Sequence, residues 1–446
     1  MDLTSAHLPL FGAVPFILLV VLMAVLPLFA ARFWERRQHL IVIALSAVVL
    51  SGTALALGPS GAIAVVLRTI VVDYIPFILL LAALFVAAGG IVVRGNLRGT
   101  PVTNTAIFAV GMLLANFVGT TGASVTLIRP LLRANDDRAH NAHTVVFFIF
   151  LVSNIGGSLT PLGDPPLFLG YLHGVDFFWP LIHLAPLTLT VSILVLAVFF
   201  AVDLFLYRRE GRLPNDPTPR SPLRVAGAWN IALIAVVAIV VAATGSSDLG
   251  GFRLLGVEIT CVSLLRDVIL LAVVAISMAW TPEALRRENG FQWAPLREVS
   301  ILFLGIFITL IPVIAMLQAG LGGPLAPMLS LVIRGDGSLN NVALFWVTGA
   351  LSSFVDNAPT YLVFFQLAGG SAPHLMSEAA PTLVAISAGA VYMGANSYIG
   401  NAPNLMVHAI ACNQGVRMPS FFGYMAWSAC VLIPVFLIVS MFLIGP

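Results

Sequence analysis

Apolar residues run along this chain in stretches long enough to cross a lipid bilayer, separated by short polar segments. A membrane-spanning helix needs about 20 consecutive, mostly apolar residues. The pattern predicts uninterrupted spanning helices at about 9–31, 40–57, 69–93, 181–206, 226–244, 266–281, 298–318 and 421–444. The chain is therefore expected to be an all-α polytopic membrane protein.

Four other apolar passages are interrupted by polar residues, at about 103–133, 143–174, 341–369 and 382–412. The first and third read apolar–polar–apolar, which is typical of a helical hairpin that re-enters the membrane. The second and fourth contain prolines, which prevent a continuous transmembrane helix. Irregular backbone at that depth is tolerated only where protein or a water-filled cavity covers it. Paired breaks of this kind indicate the binding site of a transporter.

The interruptions recur at one spacing along the chain. Phe354 follows Phe117 by 237 residues, and Gly400 follows Gly163 by the same 237. Each residue lies in a polar segment inside an otherwise apolar passage. Two matches at one offset predict two related halves.

Composition excludes a soluble protein, because only 9% of the 446 residues are charged and 59% are hydrophobic, whereas soluble domains contain about 25% charged residues. All 21 basic residues are arginine. In a layout with the N-terminus outside, 17 of them fall on the cytoplasmic side and 4 on the outer side. This asymmetry satisfies the positive-inside rule and predicts a multi-pass protein of the cell inner (plasma) membrane.

The same layout makes the first hairpin enter from the cytoplasm and the second from outside, so the two halves are predicted to be inverted repeats, each with one re-entrant helical hairpin and one broken transmembrane helix. The predicted organisation is N-terminal transmembrane helices over 1–67, repeat 1 over 68–206, a cytoplasmic linker over 207–225, and repeat 2 with a preceding and a closing helix over 226–446.

Two acids, Asp164 and Asp356, are expected to lie within the membrane. A carboxylate at that depth costs about 2.5–3.5 kcal/mol or more, so it is expected to pair, to bind a cation or to take up a proton. An acid that binds either a proton or a cation couples the two fluxes. Two structural alternatives stay open: either Asp could cap the half-helix that follows it, and the small residues of the hairpin tips could form a helix-packing seam.

The candidate ion-binding residues lie on the four interrupted passages. They are Asp356, Asn357, Asp164, Ser153, Asn154, Thr120, Thr121, Thr360, Asn396, Ser397, Asn401 and Asn404. Carboxylate, amide and hydroxyl oxygens suit a hard monovalent cation, so a sodium ion is the expected ligand. The candidate sodium site consists of Asp356, Asp164, Asn154 and Asn401.

The segment 355–359, Val-Asp-Asn-Ala-Pro, resembles the Asp-Asn-x-Pro hairpin of NhaD-type sodium/proton antiporters. Ser153-Asn154 with the segment 163–166, Gly-Asp-Pro-Pro, resembles the first broken helix of the wider ion transporter superfamily, which includes arsenite permeases and citrate transporters. The resemblance runs from about Arg68 to the C-terminus. It implies a scaffold domain, a transport domain, an elevator-type movement and a homodimer.

The chain departs from the dicarboxylate transporters of that superfamily, whose hairpin tips carry paired Ser-Asn-Thr motifs. Here the first tip reads Gly119-Thr120-Thr121 and the second reads Asp-Asn-Ala at 356–358. The resemblance therefore favours a cation site over a symmetric carboxylate clamp.

The leading hypothesis is a secondary active sodium/proton antiporter with an elevator-type alternating-access mechanism. The alternative is a cation- or proton-coupled transporter of citrate or another small organic anion or oxyanion, and a third possibility is a passive channel or membrane scaffold. No P-loop, His-Glu-x-x-His or Gly-x-Ser-x-Gly motif occurs, so neither an enzyme nor a cofactor is expected. The expected partners are membrane lipid, a second copy of the chain and a small ion, without nucleic acid.

Overall fold

The protein is an all-α polytopic membrane protein. The computed structural model describes residues 10–211, 221–245, 250–254, 256–330, 332–333 and 338–443. Within these ranges, seven helices are long and apolar enough to cross a membrane. The predicted linker 207–225 lies partly outside the described residues, because 212–220 are not among them.

The helices of the described residues, in chain order, are α1 Val14–Phe29, α2 Ala31–Arg68, α3 Ile75–Ala88, α4 Pro101–Ala134, α5 Ala142–Leu151, α6 Pro165–Leu172, α7 Trp179–Glu210, α8 Trp229–Thr244, α9 Cys261–Trp280, α10 Glu283–Glu288, α11 Ala294–Gln318, α12 Ala326–Leu329, α13 Asn341–Ser352, α14 Asn357–Leu367, α15 Ala372–Met376, α16 Ala380–Met393, α17 Ala402–Asn413 and α18 Phe421–Leu443. A π-helical segment, Thr69–Tyr74, joins α2 to α3.

Short strands form two antiparallel pairs outside the helices. The strands are β1 Val92–Asn96, β2 Ser221–Ala226, β3 Gly251–Leu254 and β4 Val257–Thr260. β1 pairs antiparallel with β2, and β3 pairs antiparallel with β4. The first pair ties the segment after α3 to the segment that precedes α8.

The helices associate as two groups. α1, α2, α3, α8, α9 and α11 pack together with the π-helical segment Thr69–Tyr74, and we call them the first bundle. α4 to α7 and α13 to α18 pack together as the second bundle. Between the bundles, α3 and α8 contact α4, α11 contacts α14, and the π-helical segment contacts α6.

Two predicted spans differ from the observed helices. The sequence predicts two separate spans, 40–57 and 69–93. In the structure the chain is helical on both sides of Gly58, which is the one residue of α2 with non-helical angles, φ 74° and ψ 166°. The apolar residues after Pro59 continue the helix, since proline is well accommodated in a first helical turn. The span predicted at 226–244 is the 16-residue helix α8, shorter than a full membrane crossing.

α4 folds back on itself in the middle. A straight helix of 34 residues would be about 51 Å long, yet residues near its two ends are hydrogen-bonded. Asn104 and Asn135 exchange two side-chain hydrogen bonds of 2.9 and 2.8 Å. The reversal occurs at Gly119, whose φ of 76° and ψ of 156° belong to a region open almost only to glycine. We call this element hairpin 1.

α13 and α14 form the corresponding element in the second half, which we call hairpin 2. The helices contact each other, and both pack against α16. Asp356 is the N-cap residue of α14, and Asn340 caps α13 by accepting a hydrogen bond from the Ala343 N–H at 3.1 Å. The polar tip of hairpin 2 therefore lies between two separately capped helices.

The helix breaks that the prolines predict are present in both halves. α5 ends at Leu151 and α6 begins at Pro165, with a short 3₁₀ turn, Ile155–Gly157, between them. α16 ends at Met393 and α17 begins at Ala402, again with a 3₁₀ turn, Gly394–Asn396. In each case the helix after the break starts with a proline in its first turn.

Contacts at the two breaks recur at the spacing of 237 residues. Thr160 donates its hydroxyl to the backbone oxygen of Asn116 at 2.6 Å, and Ser397 donates to the backbone oxygen of Ser353 at 2.5 Å. Each pair joins a broken helix to its neighbouring hairpin tip. The two halves therefore share local hydrogen bonding as well as sequence spacing.

A close approach of backbone to backbone recurs in the same way. A Cβ atom on Gly163 would lie 2.0 Å from the oxygen of Gly157, and one on Gly400 would lie 2.3 Å from the oxygen of Gly394. Neither position has room for a side chain. The glycines let each broken helix close into a compact turn beside its hairpin tip.

Candidate ion-binding site

Asp164 connects the two hairpin tips. Its side chain is buried and accepts a hydrogen bond from the Thr120 hydroxyl of hairpin 1 at 3.0 Å and one from the Asn357 side-chain amide of hairpin 2 at 2.5 Å. Asp164 makes no side-chain capping bond to α6, so the capping alternative is not the arrangement observed. When ionised, this buried carboxylate would have two neutral donors but no counter-ion among these contacts.

Asp356 lies at the tip of hairpin 2 and is partly exposed to the cavity beside it. One carboxylate oxygen accepts a hydrogen bond from the Ala358 N–H at 3.1 Å, which is a helix N-cap. The capping alternative therefore describes one contact of Asp356. The cap leaves the remaining lone pairs of this carboxylate available to a ligand.

A cavity of about 110 Å³ lies where the hairpin tips and broken helices face the first bundle. One water needs about 10–15 Å³, so the cavity has room for an ion with several waters. Its wall on the first bundle is formed by apolar residues from 77–85 of α3 and 295–303 of α11. The second bundle contributes apolar lining residues, among them Leu162, Phe168 and Met406, and all the polar ones: Thr120, Thr121, Asp164, Asp356, Asn357 and Asn401. Among the described residues that line the cavity, none is basic.

Two amide oxygens of this wall are buried without a hydrogen-bond partner, Asn357 Oδ1 and Asn401 Oδ1. Their orientation follows from the neighbours, since the Asn357 amide nitrogen donates to the Asp164 carboxylate and the Asn401 nitrogen donates to the backbone oxygen of Ser153 at 3.3 Å. An unsatisfied buried carbonyl costs about 1–3 kcal/mol. Both oxygens are therefore suited to a cation.

Asn154 braces the two broken helices against each other. Its amide donates to Asn404 Oδ1 at 2.8 Å and its oxygen accepts from Asn401 at 3.0 Å. Asn404 in turn donates to the backbone oxygens of Gly394 and Ser397, both at 2.9 Å. The structure gives Asn154 and Asn404 a bracing role beside the cavity, and Asn401 joins this brace to the cavity wall.

The other predicted site residues support the tips from behind. Thr360 donates to the backbone oxygen of Asp356 at 3.1 Å, and Asn396 donates to the Ser353 hydroxyl at 3.0 Å. Ser153 lies within hydroxyl–hydroxyl distance of Ser124, at 2.8 Å. None of these side chains is among the described residues lining the cavity.

An aromatic cluster borders the cavity at the interface of the bundles. The Phe77 ring lies 4.6 Å from that of Phe303, 5.8 Å from that of Phe307 and 6.4 Å from that of Phe168, measured between centroids. Phe77 and Phe303 are also cavity-lining residues, whereas Phe307 is not. The cluster therefore closes the end of the cavity that faces the start of α3.

The sequence did not identify a buried ionic cluster at the base of hairpin 1. Asp203 of α7 accepts from Asn104 and from His143, each at 2.9 Å, and Arg138 lies 2.9 Å away. Arg138 also pairs with Glu210 at 2.7 Å. The side chain of Asp203 is fully buried. The one sign of this cluster in the sequence is an acid, Asp203, within the predicted apolar span 181–206.

Comparison with protein families agrees with this architecture. A family model described as "Putative citrate transport" matches residues 5–444. The chain belongs to this family, within the ion transporter superfamily. No curated protein matches the chain. Membership of a transporter family and the seven apolar helices identify a membrane transport protein.

Proposed function

We propose that this member of the citrate transport family is a secondary active transporter that exchanges a small monovalent cation, with sodium as the leading candidate, for protons. The observation that carries the proposal is the polar wall of the cavity. It presents two carboxylates, Asp164 and Asp356, and two unpartnered amide oxygens, Asn357 Oδ1 and Asn401 Oδ1, without a basic side chain among the described lining residues.

The two carboxylates are the exchanging groups in this proposal. A buried carboxylate is stable when a cation or a proton neutralises it, and unstable when neither does. Release of the cation therefore favours uptake of a proton at the same oxygens. Thr120 and Asn357 hold the Asp164 carboxylate between the hairpin tips, so cation binding would also draw the tips together.

The distribution of polarity supports an elevator-type movement. The polar groups lie on the second bundle, and the facing wall on α3 and α11 is apolar. At the cavity this apolar wall lets the second bundle slide past the first without breaking hydrogen bonds there. Away from the cavity, the movement has to break the hydrogen bonds from Tyr171 to the Val241 oxygen and from Gln318 to Gln366. We propose that the first bundle is the scaffold and the second the transport domain. The recurring contacts at 237 residues support two repeats; their inversion, the re-entrant insertion and the homodimer remain predictions.

The second candidate is cation-coupled transport of citrate, and the family match favours it. A free citrate trianion would face two acids and no basic lining residue among those described. Citrate would therefore have to enter together with cations that neutralise its carboxylates. In that case the two acids would serve the coupling ion.

The test is transport by the full chain in proteoliposomes. An imposed proton gradient should dissipate on addition of sodium alone, without any organic anion. Asp164→Asn and Asp356→Asn should each abolish this coupled exchange, since neither amide can exchange a proton for a cation. The matched control is Glu378→Gln, an acid whose side chain is 80% exposed, which should leave exchange unchanged.

Uptake of labelled citrate without cation/proton exchange would exclude the leading proposal and establish the second candidate. Full coupled exchange in Asp356→Asn would remove that residue from the site.

A further inference from the structure

Asp73 and His173 face each other across the boundary between the two bundles. Asp73 lies in the π-helical segment Thr69–Tyr74 of the first bundle, and His173 is the C-cap residue of α6 in the second. His173 Nε2 is 3.9 Å from Asp73 Oδ1, with about a fifth of each side chain exposed. A π-helical turn is rare and is often found at functional positions.

The tautomer of His173 makes this contact depend on protonation. His173 Nδ1 lies 2.9 Å from the backbone oxygen of Leu169, which can only accept a hydrogen bond. In the neutral ring the proton is therefore on Nδ1, and the bare Nε2 lone pair faces the Asp73 carboxylate. Only the imidazolium form presents an N–H to Asp73 and attracts it.

His173 closes the C-terminus of α6, where its backbone N–H donates to the oxygens of Leu169 and Gly170. The other groups facing the pair are Arg68, which acts on Asp73 through its charge, and the Phe365 ring of α14, 5.9 Å from the imidazole centroid. Arg68 is exposed and opposes a second positive charge only through solvent.

One short helix links this pair to the ion site. Asp164 is the N-cap residue of α6, and His173 is its C-cap residue. The helix has 8 residues, about 12 Å of rigid backbone. A force that holds His173 against the first bundle therefore also holds the Asp164 carboxylate in its present position.

We propose that Asp73 and His173 form a proton-operated latch, in which protonated His173 holds α6 against the first bundle and retains the transport domain in the state described here. The inference rests on the proposed movement of the second bundle past the first. The pair lies at the start of α3, opposite the arginine-rich end where Arg94 pairs with Glu288. With the predicted orientation, the latch responds to the pH outside the cell.

The first experiment measures transport in right-side-out vesicles containing the full chain, with internal pH held constant. Lowering external pH from about 7.5 to about 5.5, across the ordinary titration range of histidine, should slow the wild type by about two- to fivefold, as expected for a partly exposed ion pair. His173→Gln and Asp73→Asn should keep only the dependence that comes from the proton as an exchanged ion. Their slowing should therefore be smaller than that of the wild type, with the same half-saturating substrate concentration.

The matched control is His183→Gln. His183 Nδ1 also lies near a backbone oxygen, that of Trp179 at 3.0 Å, but the ring stacks on Trp179 instead of facing an acid. This variant should keep the wild-type dependence on external pH. The same dependence in all four proteins would overturn the latch.

The second experiment tests the movement directly. Asp73→Cys and His173→Cys are combined in a chain whose Cys261, Cys412 and Cys430 are replaced by serine. Oxidation should stop transport and reduction should restore it. Undiminished transport by the cross-linked protein, or failure of the two cysteines to cross-link, would each overturn the latch.

The antiport function and the latch can be rejected independently of each other. The wild type could transport citrate without cation/proton exchange, and the cross-link could stop that transport. These two results together would reject the antiport function and retain the latch. Exchange that is present but equally sensitive to external pH in every variant would reject the latch alone.

Discussion

At the scale of single residues, Asn401 links support and binding in one side chain. Its amide nitrogen donates to Ser153 and Asn154, and its oxygen is buried without a partner at the cavity. Its counterpart at the 237-residue spacing is Asp164, which carries a charge instead. The two broken helices thus place one acid and one amide at equivalent positions, and in the proposed function these would supply a carboxylate and a neutral oxygen to the cation.

Asn401→Ala removes both the brace and the unpartnered oxygen. We expect sodium affinity to fall by about five- to a hundredfold, the factor that corresponds to losing one buried polar ligand of about 1–3 kcal/mol. The measurement is sodium-dependent thermal stabilisation of the purified protein.

The control for this substitution is Asn340→Ala. Asn340 caps α13 through a hydrogen bond to Ala343 and is not among the described residues lining the cavity. It should cost about 1 kcal/mol of stability and leave sodium affinity unchanged. Equal loss of affinity in both variants would show that Asn401 acts through stability alone.

At the scale of elements, hairpin 1 depends on the backbone of Gly119. Its φ and ψ reverse the helix, and the following residue, Thr120, donates its N–H to the backbone oxygen of Gly163 at 2.8 Å. The reversal therefore places the Thr120 hydroxyl beside Asp164. A different turn would present a different residue to the carboxylate.

Gly119→Ala should lower stability by about 1–3 kcal/mol, because this backbone region is accessible almost only to glycine. An added Cβ would itself lie at an ordinary contact distance, 3.4 Å from the oxygen of Leu162. Relief of the backbone strain should move Thr120 away from Asp164, so coupled transport should fall. Gly58→Ala is the matched control, since Gly58 has nearly the same φ and ψ but no atom within 4 Å of an added Cβ.

Gly58→Ala should show the same strain, measured by thermal unfolding, with transport close to wild type in the protein that remains folded. Unimpaired transport by Gly119→Ala would mean that the turn does not position Thr120.

At the scale of the whole molecule, the two hairpin bases are held differently. At the base of hairpin 1, Asp203 lies among Asn104, His143 and Arg138. Its counterpart at the 237-residue spacing is Ser440, which accepts a hydrogen bond from the indole of Trp346 at 3.2 Å. The first base is ionic and the second is neutral, so the two halves differ in how their hairpins are anchored.

Asp203→Asn should destabilise the protein by about 3–5 kcal/mol, because it leaves Arg138 buried with one partner fewer. Ser440→Ala should cost about 1 kcal/mol, the value of an ordinary hydrogen bond. Thermal unfolding of the two variants in the same detergent compares them. Similar losses would show that the ionic anchor adds nothing beyond a neutral one.

The sequence by itself determined the membrane class, the apolar spans and the places where helices break. These follow from local chemistry: a bilayer requires long apolar helices, and proline disrupts a helix most readily where polar residues surround it. Proline alone does not decide a break, because Pro312 and Pro434 lie inside continuous helices. The breaks at Pro165 and Pro403, and the polar segments at the hairpin tips, could be located for this reason without knowing what packs against them.

Only the tertiary structure decided which polar residues meet. Asp164 joins Thr120 and Asn357, although Asn357 is 193 residues away, and Asp73 faces His173 from another bundle. Side-chain partnership depends on how helices pack and on which oxygen remains unpaired, and neither is encoded in the spacing along the chain. The same packing places Asn154 and Asn404 in contact with each other and leaves Asp356 at the cavity. The sequence could not distinguish these roles, because residue type alone does not show what a side chain contacts.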